Sequence, residues 1–540
     1  MTSTARRDAG SLERHDRLID WLIAVVIAQL VVMAFSPALR AGFVLWDDDT
    51  YFVNNPYYRG LGPAQLRWMF SVMSGHYMPL TWLTYGLDYV LWGMRPAGYH
   101  AVNVALHALA AVIAYFLARR VLAAAVGRVQ PAGLRAGAAV AALLFAVHPL
   151  RVESVAWITE RRDVLCGVFF LLAILCYLRA LDAGVSRRWY WSAVVMAVLA
   201  LASKAIAVTL PAVLLLLDVY PLGRLGPGRW RRRDVWLEKL PFALPSAAAA
   251  ILAIVAERAV GALSDLRDVG IAERLGLTAY GLVFYVCKTL VPTGLAPLYE
   301  APYDYATLTP RFAASAVAVG AAAVALVRVR RRWPGVAAAG AAFVVLLLPV
   351  LGLLHFGVHI VADRNTYLAG LVPALLAGVA VLRVLHGGSP PTTARATAAA
   401  ALAVIVVFGV LTWRQSGVWR DSRTLWTHAV SVSPSSVAHA KLGVLLDGEG
   451  RTEDAIAHFR EAVRLRPDSA YAENNWGIAL GNVWRFDEAI MHFEAAIRAQ
   501  PTYAEAHRNL QITRARQANP LGYLAAQRAS RERVARGLAR

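Results

Sequence analysis

Long stretches of mostly apolar residues, separated by short polar or basic turns, fill the first three-quarters of the chain. A helix needs roughly 17 to 25 such residues to cross a bilayer, and somewhat fewer when it is buried among other helices. The pattern predicts spans near 18–37, 100–119, 134–148, 163–181, 188–203, 205–221, 240–258, 310–328, 335–355, 366–384 and 396–413, about eleven in all. Arginine clusters then set the sides, because basic loops stay cytoplasmic. RRVLAAAVGR (119–128), SRR (186–188), GRWRRRD (228–234) and RVRRR (328–332) are assigned inside. The long segment 38–99, the loop 149–162 and HFGVHIVADRN (355–365) are assigned outside. Residues 1–17 read as a cytoplasmic tail. The moderately apolar 273–292 would spoil this alternation as a span, so it is expected to be a re-entrant or interfacial helix on the external side.

After Trp413 the period changes. Leu442, Gly443, Leu446, Ala455, Phe459, Ala462 and Pro467 recur 34 residues later as Trp476, Gly477, Leu480, Ala489, Phe493, Ala496 and Pro501. This is the tetratricopeptide period, in which small residues let paired helices approach and proline ends the second helix. Full repeats are predicted at 436–469 and 470–503. A leading half-repeat carries Trp426, Ala429 and Pro434, and a further first helix begins near Ala504. The repeat domain is thus expected over 414–515, with a basic cap or tail at 516–540. An odd span count puts all of it on the extracytoplasmic (periplasmic) side of the membrane.

Composition agrees with an all-α polytopic membrane protein: 58% of residues are hydrophobic and only 17% are charged. The net charge of +20 resides in short arginine clusters between apolar runs, which suit membrane lipid headgroups rather than nucleic acid. The three cysteines, Cys166, Cys176 and Cys287, lie in apolar segments and imply no disulfide framework.

Candidate chemistry gathers on the predicted external side. WDDDTYFVNNP places Asp47, Asp48 and Asp49 just after the first span, where three adjacent carboxylates do nothing for a helix in lipid. The competing account is a solvated turn with Asp47 or Asp48 as a helix N-cap. The following LRWMFSVMSGHYMPLTWLTYGLDYVLWG has the spacing of amphipathic helices anchored in the interface by Trp68, Trp82, Tyr85 and Trp92. Cations run against the positive-inside tendency in HPLRVESVAWITERRD (148–163), in the turn at Lys204 and in VADRNTYL (361–368). Arg161, Arg162, Lys204 and Arg364 are candidates to converge on a phosphate. For Arg161 and Arg162, plain salt bridges to Glu160 and Asp163 compete with that role. Asp49, Glu153, His100 and His148 are candidate supporting residues. His100, Asn103 and His107 share a helical face suited to interhelical hydrogen bonds. His355 and His359 lack the acidic partner of a zinc motif.

The succession WDDDTYFVNNP, MPLTWLTYGLDYVLWG, PAGYHAVNVALHAL, FAVHPLRVESVAWITERRDVL, SKAIAVTLPAVLLLLDVYPLGR and ADRNTYLAGL, followed by the 34-residue repeats, resembles the transmembrane and tetratricopeptide-repeat protein O-mannosyltransferases and their bacterial relatives, members of the GT-C superfamily. The likeness runs over nearly the whole chain, with fewer repeats than the eukaryotic enzymes have. It implies a GT-C-like transmembrane domain over 18–413. The activity implied is that of an inverting glycosyltransferase taking mannose or another hexose from a polyprenyl-phosphate donor. Carried over by position, the acidic motif of the active centre is Asp47 and Asp48. One carboxylate would deprotonate the acceptor hydroxyl, and the external cations would stabilise the departing phosphate. A divalent cation, Mg or Mn, on Asp47 and Asp48 is compatible with this scheme, although nothing in the sequence requires one. The acceptor expected is an exported protein held by the repeats, in the inner (plasma) membrane of a bacterium. A glycan or glycolipid acceptor is the alternative, and a non-catalytic scaffold that recruits envelope proteins is the rival from another class. A transporter would want ionisable residues along a membrane pathway, and the sequence shows none clearly.

Overall fold

The computed structural model describes residues 3–73, 75–127, 129–182, 187–261, 269–303, 305–353, 359–386 and 389–519. His355 and most of the expected C-terminal cap lie outside them. The chain forms two compact units. One comprises residues 1–297 with 308–421, and the other 298–307 with 422–540.

The first unit holds sixteen α-helices among its described residues. They are α1 (Ser3–Ala34), α2 (Pro63–Ser71), α3 (Pro79–Trp92), α4 (Pro96–Val126), α5 (Pro131–Ala146), α6 (Val152–Ala156), α7 (Arg161–Ala180), α8 (Arg188–Ser203), α9 (Leu210–Val219), α10 (Arg233–Leu237), α11 (Leu240–Ala259), α12 (Ile271–Leu290), α13 (Thr309–Val329), α14 (Pro334–Leu347), α15 (Leu371–His386) and α16 (Pro391–Val418). Many begin with proline, whose fixed φ and missing N–H suit the first turn. Each predicted span coincides with a helix, but the eleven-span count is not reached on length. Among the described residues six helices are long and apolar enough to cross a membrane, and a seventh results if α5 and 149–156, bent by 53°, count as one span. Helices at 188–203, 205–219, 334–350 and 371–385 are apolar but shorter. These features suit a multi-pass membrane protein.

Residues 271–290 form one unbroken helix that is not among those long and apolar enough to cross a membrane. Two local differences from the sequence reading have physical causes. The segment expected as a tail is helical from Ser3, and α1 is fixed near Asp16 and Asp20 by Arg135, at 2.7 Å and 3.0 Å. Trp82 and Tyr85 do not anchor α3 in an interface; they are buried, 2% and 1% exposed, in an aromatic cluster with Phe52, Tyr58, Met69 and Tyr99. That cluster gives the acidic segment a solid floor. Trp92, by contrast, stays exposed.

Helices α5 and α15 cross where neither has a side chain. A Cβ on Gly378 would come 2.5 Å from the Gly137 carbonyl oxygen, and one on Gly137 would come 2.7 Å from that of Gly378. Small residues at such a crossing let backbones approach in an apolar medium.

In the second unit α17 (Ser422–Val432), α18 (Ser436–Gly448), α19 (Thr452–Leu465), α20 (Ala470–Asn482), α21 (Phe486–Ala499) and α22 (Ala504–Ala518) each pack on the next. Gly443 lies under the Phe459 ring and Gly477 under Phe493, the same pairing 34 residues apart. Ser435 and Ser469 cap α18 and α20 by accepting from the backbone N–H of Ala438 and Ala472. Glu300 accepts from the Val437 N–H at 3.0 Å and pairs with Arg466 at 3.0 Å, so 298–307 belongs to this unit.

Gly378→Ala is expected to lower stability by about 1–3 kcal/mol, since the clash is with backbone. Gly409→Ala, where a Cβ meets nothing within 4 Å, should be neutral or slightly stabilising. Thermal unfolding of the detergent-solubilised chain decides it; equal midpoints for the two variants would refute the crossing argument.

Candidate active site

The break at His148–Pro149 turns the chain at the end of α5, and residues 149–163 then pass through three short turns into α7. A continuous helix would have carried this polar segment in one line; the turns instead fold it inward, so that Arg151, Glu153, Thr159, Glu160, Arg161, Arg162 and Asp163 are all buried. At its centre is Glu160, whose side chain is 0% exposed. Its carboxylate receives Arg162 at 2.5 Å, Lys204 at 3.0 Å and Arg364 at 3.2 Å. Lys204 also pairs with Asp163 at 2.7 Å, and Asp163 accepts from Ser154 Oγ at 3.0 Å. Glu153 pairs with the Arg364 guanidinium and accepts from the Arg364 backbone N–H at 2.8 Å. Arg364 further lies over the Trp157 ring, 5.6 Å from its centroid. Three of the four candidate cations therefore meet at one carboxylate.

Arg161 does not join them. It points away from the cluster to Asp88 at 2.5 Å, Asn103 Oδ1 at 2.7 Å and the Tyr99 carbonyl at 2.8 Å, over the Tyr85 ring at 4.6 Å. Its neighbour in a helix points about 100° away, so adjacent arginines at the head of α7 serve different partners. Arg161 thus ties α3 and α4 to α7. The phosphate role expected for it is withdrawn.

The aspartates also divide. Asp48 is 1% exposed. Its Oδ2 accepts from the Val44 N–H at 3.0 Å, and its Oδ1 accepts from the Thr159 hydroxyl at 2.7 Å and the Thr159 N–H at 3.3 Å. It makes no helix-cap bond to the turn at 49–53. Both oxygens are committed, so Asp48 is poorly placed to reach a substrate. Burial pushes its carboxyl up to about 7, against the lowering effect of these hydrogen bonds. Asp47 is only partly buried. Burial raises its pKa too; Arg162 and Arg364 oppose the rise, while Glu160 and Asp49 add to it. Asp47 is therefore the carboxylate that senses the cation cluster.

Of the supporting candidates, Glu153, His100 and His148 have structural partners. His100 Nε2 lies 3.4 Å from the Gly42 carbonyl, beside the acidic segment. His148 is used up by the Thr289 carbonyl at 2.9 Å and the Leu150 N–H at 3.2 Å, away from the cluster. Asn103 donates to the Val155 and Trp157 carbonyls, and His107 bonds to Tyr367 and the Ala146 carbonyl, the interhelical bonding expected of that face. Asp49 Oδ1 is buried without a hydrogen-bond partner. Among the described residues no three His, Cys, Asp or Glu side chains are grouped to hold a metal ion. Val44 and Thr159 already take three of the roughly four acceptor positions of Asp48, which leaves little of it for a Mg or Mn ion shared with Asp47.

Sequence reasoning missed one participant. Glu160 was visible only as a salt-bridge partner, because nothing local shows that Lys204 and Arg364 arrive from distant loops.

No protein-family model matches the chain. Comparison with curated proteins finds human protein O-mannosyl-transferase TMTC1, 27% identical over 540 residues that cover 88% of this chain and 59% of the human protein. Over most of its length the chain is similar to protein O-mannosyl-transferases. Drosophila melanogaster Tmtc1, also a protein O-mannosyl-transferase, is 27% identical over 83% of this chain and 62% of its own length. The mouse O-mannosyl-transferase TMTC1 is 38% identical over 173 residues, 30% of this chain and 17% of that protein. The chain thus spans about 60% of the length of the human and fly O-mannosyl-transferases. Solved structures with some likeness include ArnT from Cupriavidus metallidurans bound to undecaprenyl phosphate (TM-score 0.35, 15% identity, 91% of this chain and 76% of that one). The Archaeoglobus fulgidus oligosaccharyltransferase is another (TM-score 0.38, 14% identity, 74% and 56%).

A raised carboxyl pKa means the folded state binds a proton that the unfolded chain releases near 3.9. The stabilisation from Asp48 is therefore full below about 4 and is lost as pH rises through about 7. The thermal midpoint of the wild type should fall between pH 5 and pH 8 more steeply than that of Asp48→Asn. Parallel pH profiles would contradict the raised Asp48 pKa.

Proposed function

We propose that this chain is an integral-membrane inverting glycosyltransferase that transfers a sugar, mannose or another hexose, from a polyprenyl-phosphate donor to a hydroxyl of an exported protein. The observation that carries the reading is the buried set of Arg162, Lys204 and Arg364 on Glu160, with Asp47 in the field of Arg162 and Arg364. Within it Arg162 Nη1 is buried and has no hydrogen-bond partner. A buried donor without an acceptor is costly; the phosphate of the donor lipid would satisfy it. The names of the curated relatives support sugar transfer to protein and mannose as the sugar.

In this scheme the acceptor hydroxyl oxygen attacks the anomeric carbon and its proton passes to Asp47. The bond from that carbon to the phosphate oxygen breaks, and the polyprenyl phosphate leaves with added negative charge toward Arg162, Lys204 and Arg364. Cations already fixed in place by Glu160 need no reorganisation as that charge develops. The raised pKa of Asp47 makes it a stronger base than an ordinary aspartate. Asp48 is a positioning residue: through Thr159 and Val44 it locks the acidic turn to the segment that carries Glu160. The proposed topology has the N-terminus in the cytoplasm, the active site and repeats outside, and the repeats holding the acceptor.

Full-length protein assayed with a polyprenyl-phosphomannose and a Ser/Thr-containing peptide tests this. Asp47→Asn should cut turnover by roughly 10²–10⁴ with donor retention unchanged, while Asp48→Asn should cost less. The wild-type rate should rise with pH through a midpoint above the ordinary aspartate range. Wild-type turnover by Asp47→Asn would remove the base assignment, and absence of transfer from any polyprenyl-phosphate sugar would remove the function.

A further inference from the structure

An apolar cavity of about 230 Å³ opens between α4, α7, α9, α14 and α15, walled by residues such as Phe170, Leu216, Leu346 and Leu376. Its lining contains no carboxylate, and its only charged members are Arg332 and Arg383. Arg332 follows α13, in the basic run 328–332, and Arg383 lies near the end of α15. Both are exposed, and among the described residues neither forms an ion pair. The Arg383 guanidinium lies 5.7 Å from the centroid of the Trp333 ring, which is 45% exposed. An apolar slot ending in two cations and an indole matches the profile of a lipid: chain in the slot, phosphate on the arginines, and tryptophan at the level of the headgroups.

We infer that this cavity binds one acyl chain of an anionic glycerophospholipid whose phosphate is held by Arg332 and Arg383. The site is separate from the Glu160 cluster. None of Glu160, Arg162, Lys204 and Arg364 lines the cavity, and α15 alone carries the chain roughly 18 Å from Leu371 to Arg383, so the two sets of cations serve different ligands. A zwitterionic phospholipid would fill the slot equally well, but its own cation would face the guanidinium groups. The inference does not depend on the glycosyltransferase reading.

The test is native mass spectrometry of the purified, delipidated full-length chain after incubation with dioleoyl phosphatidylglycerol or dioleoyl phosphatidylcholine. The wild type should retain phosphatidylglycerol over phosphatidylcholine by roughly tenfold. Arg332→Gln/Arg383→Gln, at two exposed positions, should abolish the preference. Ala342→Trp, which fills the cavity with both arginines intact, should reduce retention of both lipids. Equal retention of the two lipids by the wild type, or an unchanged preference in the double variant, would overturn the proposal. So would displacement of phosphatidylglycerol by an equimolar polyprenyl phosphate, which would give the cavity to the donor's tail.

Discussion

Everything at the centre of the first unit depends on one carboxylate. Glu160 is fully buried, and three cations from three separate parts of the chain lean on it: Arg162 beside it in sequence, Lys204 after α8 and Arg364 before α15. None of these charges is stable alone in an apolar interior, because desolvation would exceed any single attraction. Together with Asp163 and Glu153 they nearly balance, which lets a polar knot exist among apolar helices. Because its members come from distant segments, the knot also fixes how those helices meet.

A balanced network is poor in net charge but rich in fixed donors. What it offers a phosphate is not a surplus of positive charge but N–H groups already aimed and held, such as the unpartnered Nη1 of Arg162. The acidic turn completes the arrangement with two carboxylates in unlike surroundings. Asp48, sealed by Val44 and Thr159, spends its oxygens on architecture; Asp47, left partly open, feels Arg162 and Arg364. Neighbouring titratable groups driven into different roles by their surroundings are a recurring way to obtain base chemistry near neutral pH.

Much of this was legible in the sequence. Apolar runs mark helices in lipid because nothing else satisfies the backbone there, and the run from Leu371 or Pro391 needed no tertiary knowledge to read. Arg162, Lys204 and Arg364 stood out because the alternation of apolar runs assigns their loops to the side where membrane proteins carry few cations. What stayed hidden was partnership. Arg161 and Arg162 look alike in sequence, and only the rotation of a helix sends one to Asp88 and the other to Glu160. Trp82 and Tyr85 carry the spacing of an interface helix, yet they pack inward against the rings of Tyr58 and Phe52, 6.2 Å and 4.7 Å between centroids. Asp47 and Asp48 differ by one position, and which of them is sealed depends on Thr159, more than a hundred residues away.

The central claim is that the cations gathered on Glu160 are there to receive a phosphate. Equilibrium binding of a polyprenyl monophosphate to the purified full-length chain, set against the matching polyprenol that lacks only the phosphate, tests it most directly. The account predicts a preference of about tenfold or more for the phosphate, as expected of charge-assisted hydrogen bonds, and its loss in Arg162→Met. Equal affinity of the wild-type chain for the phosphate and the alcohol would contradict it.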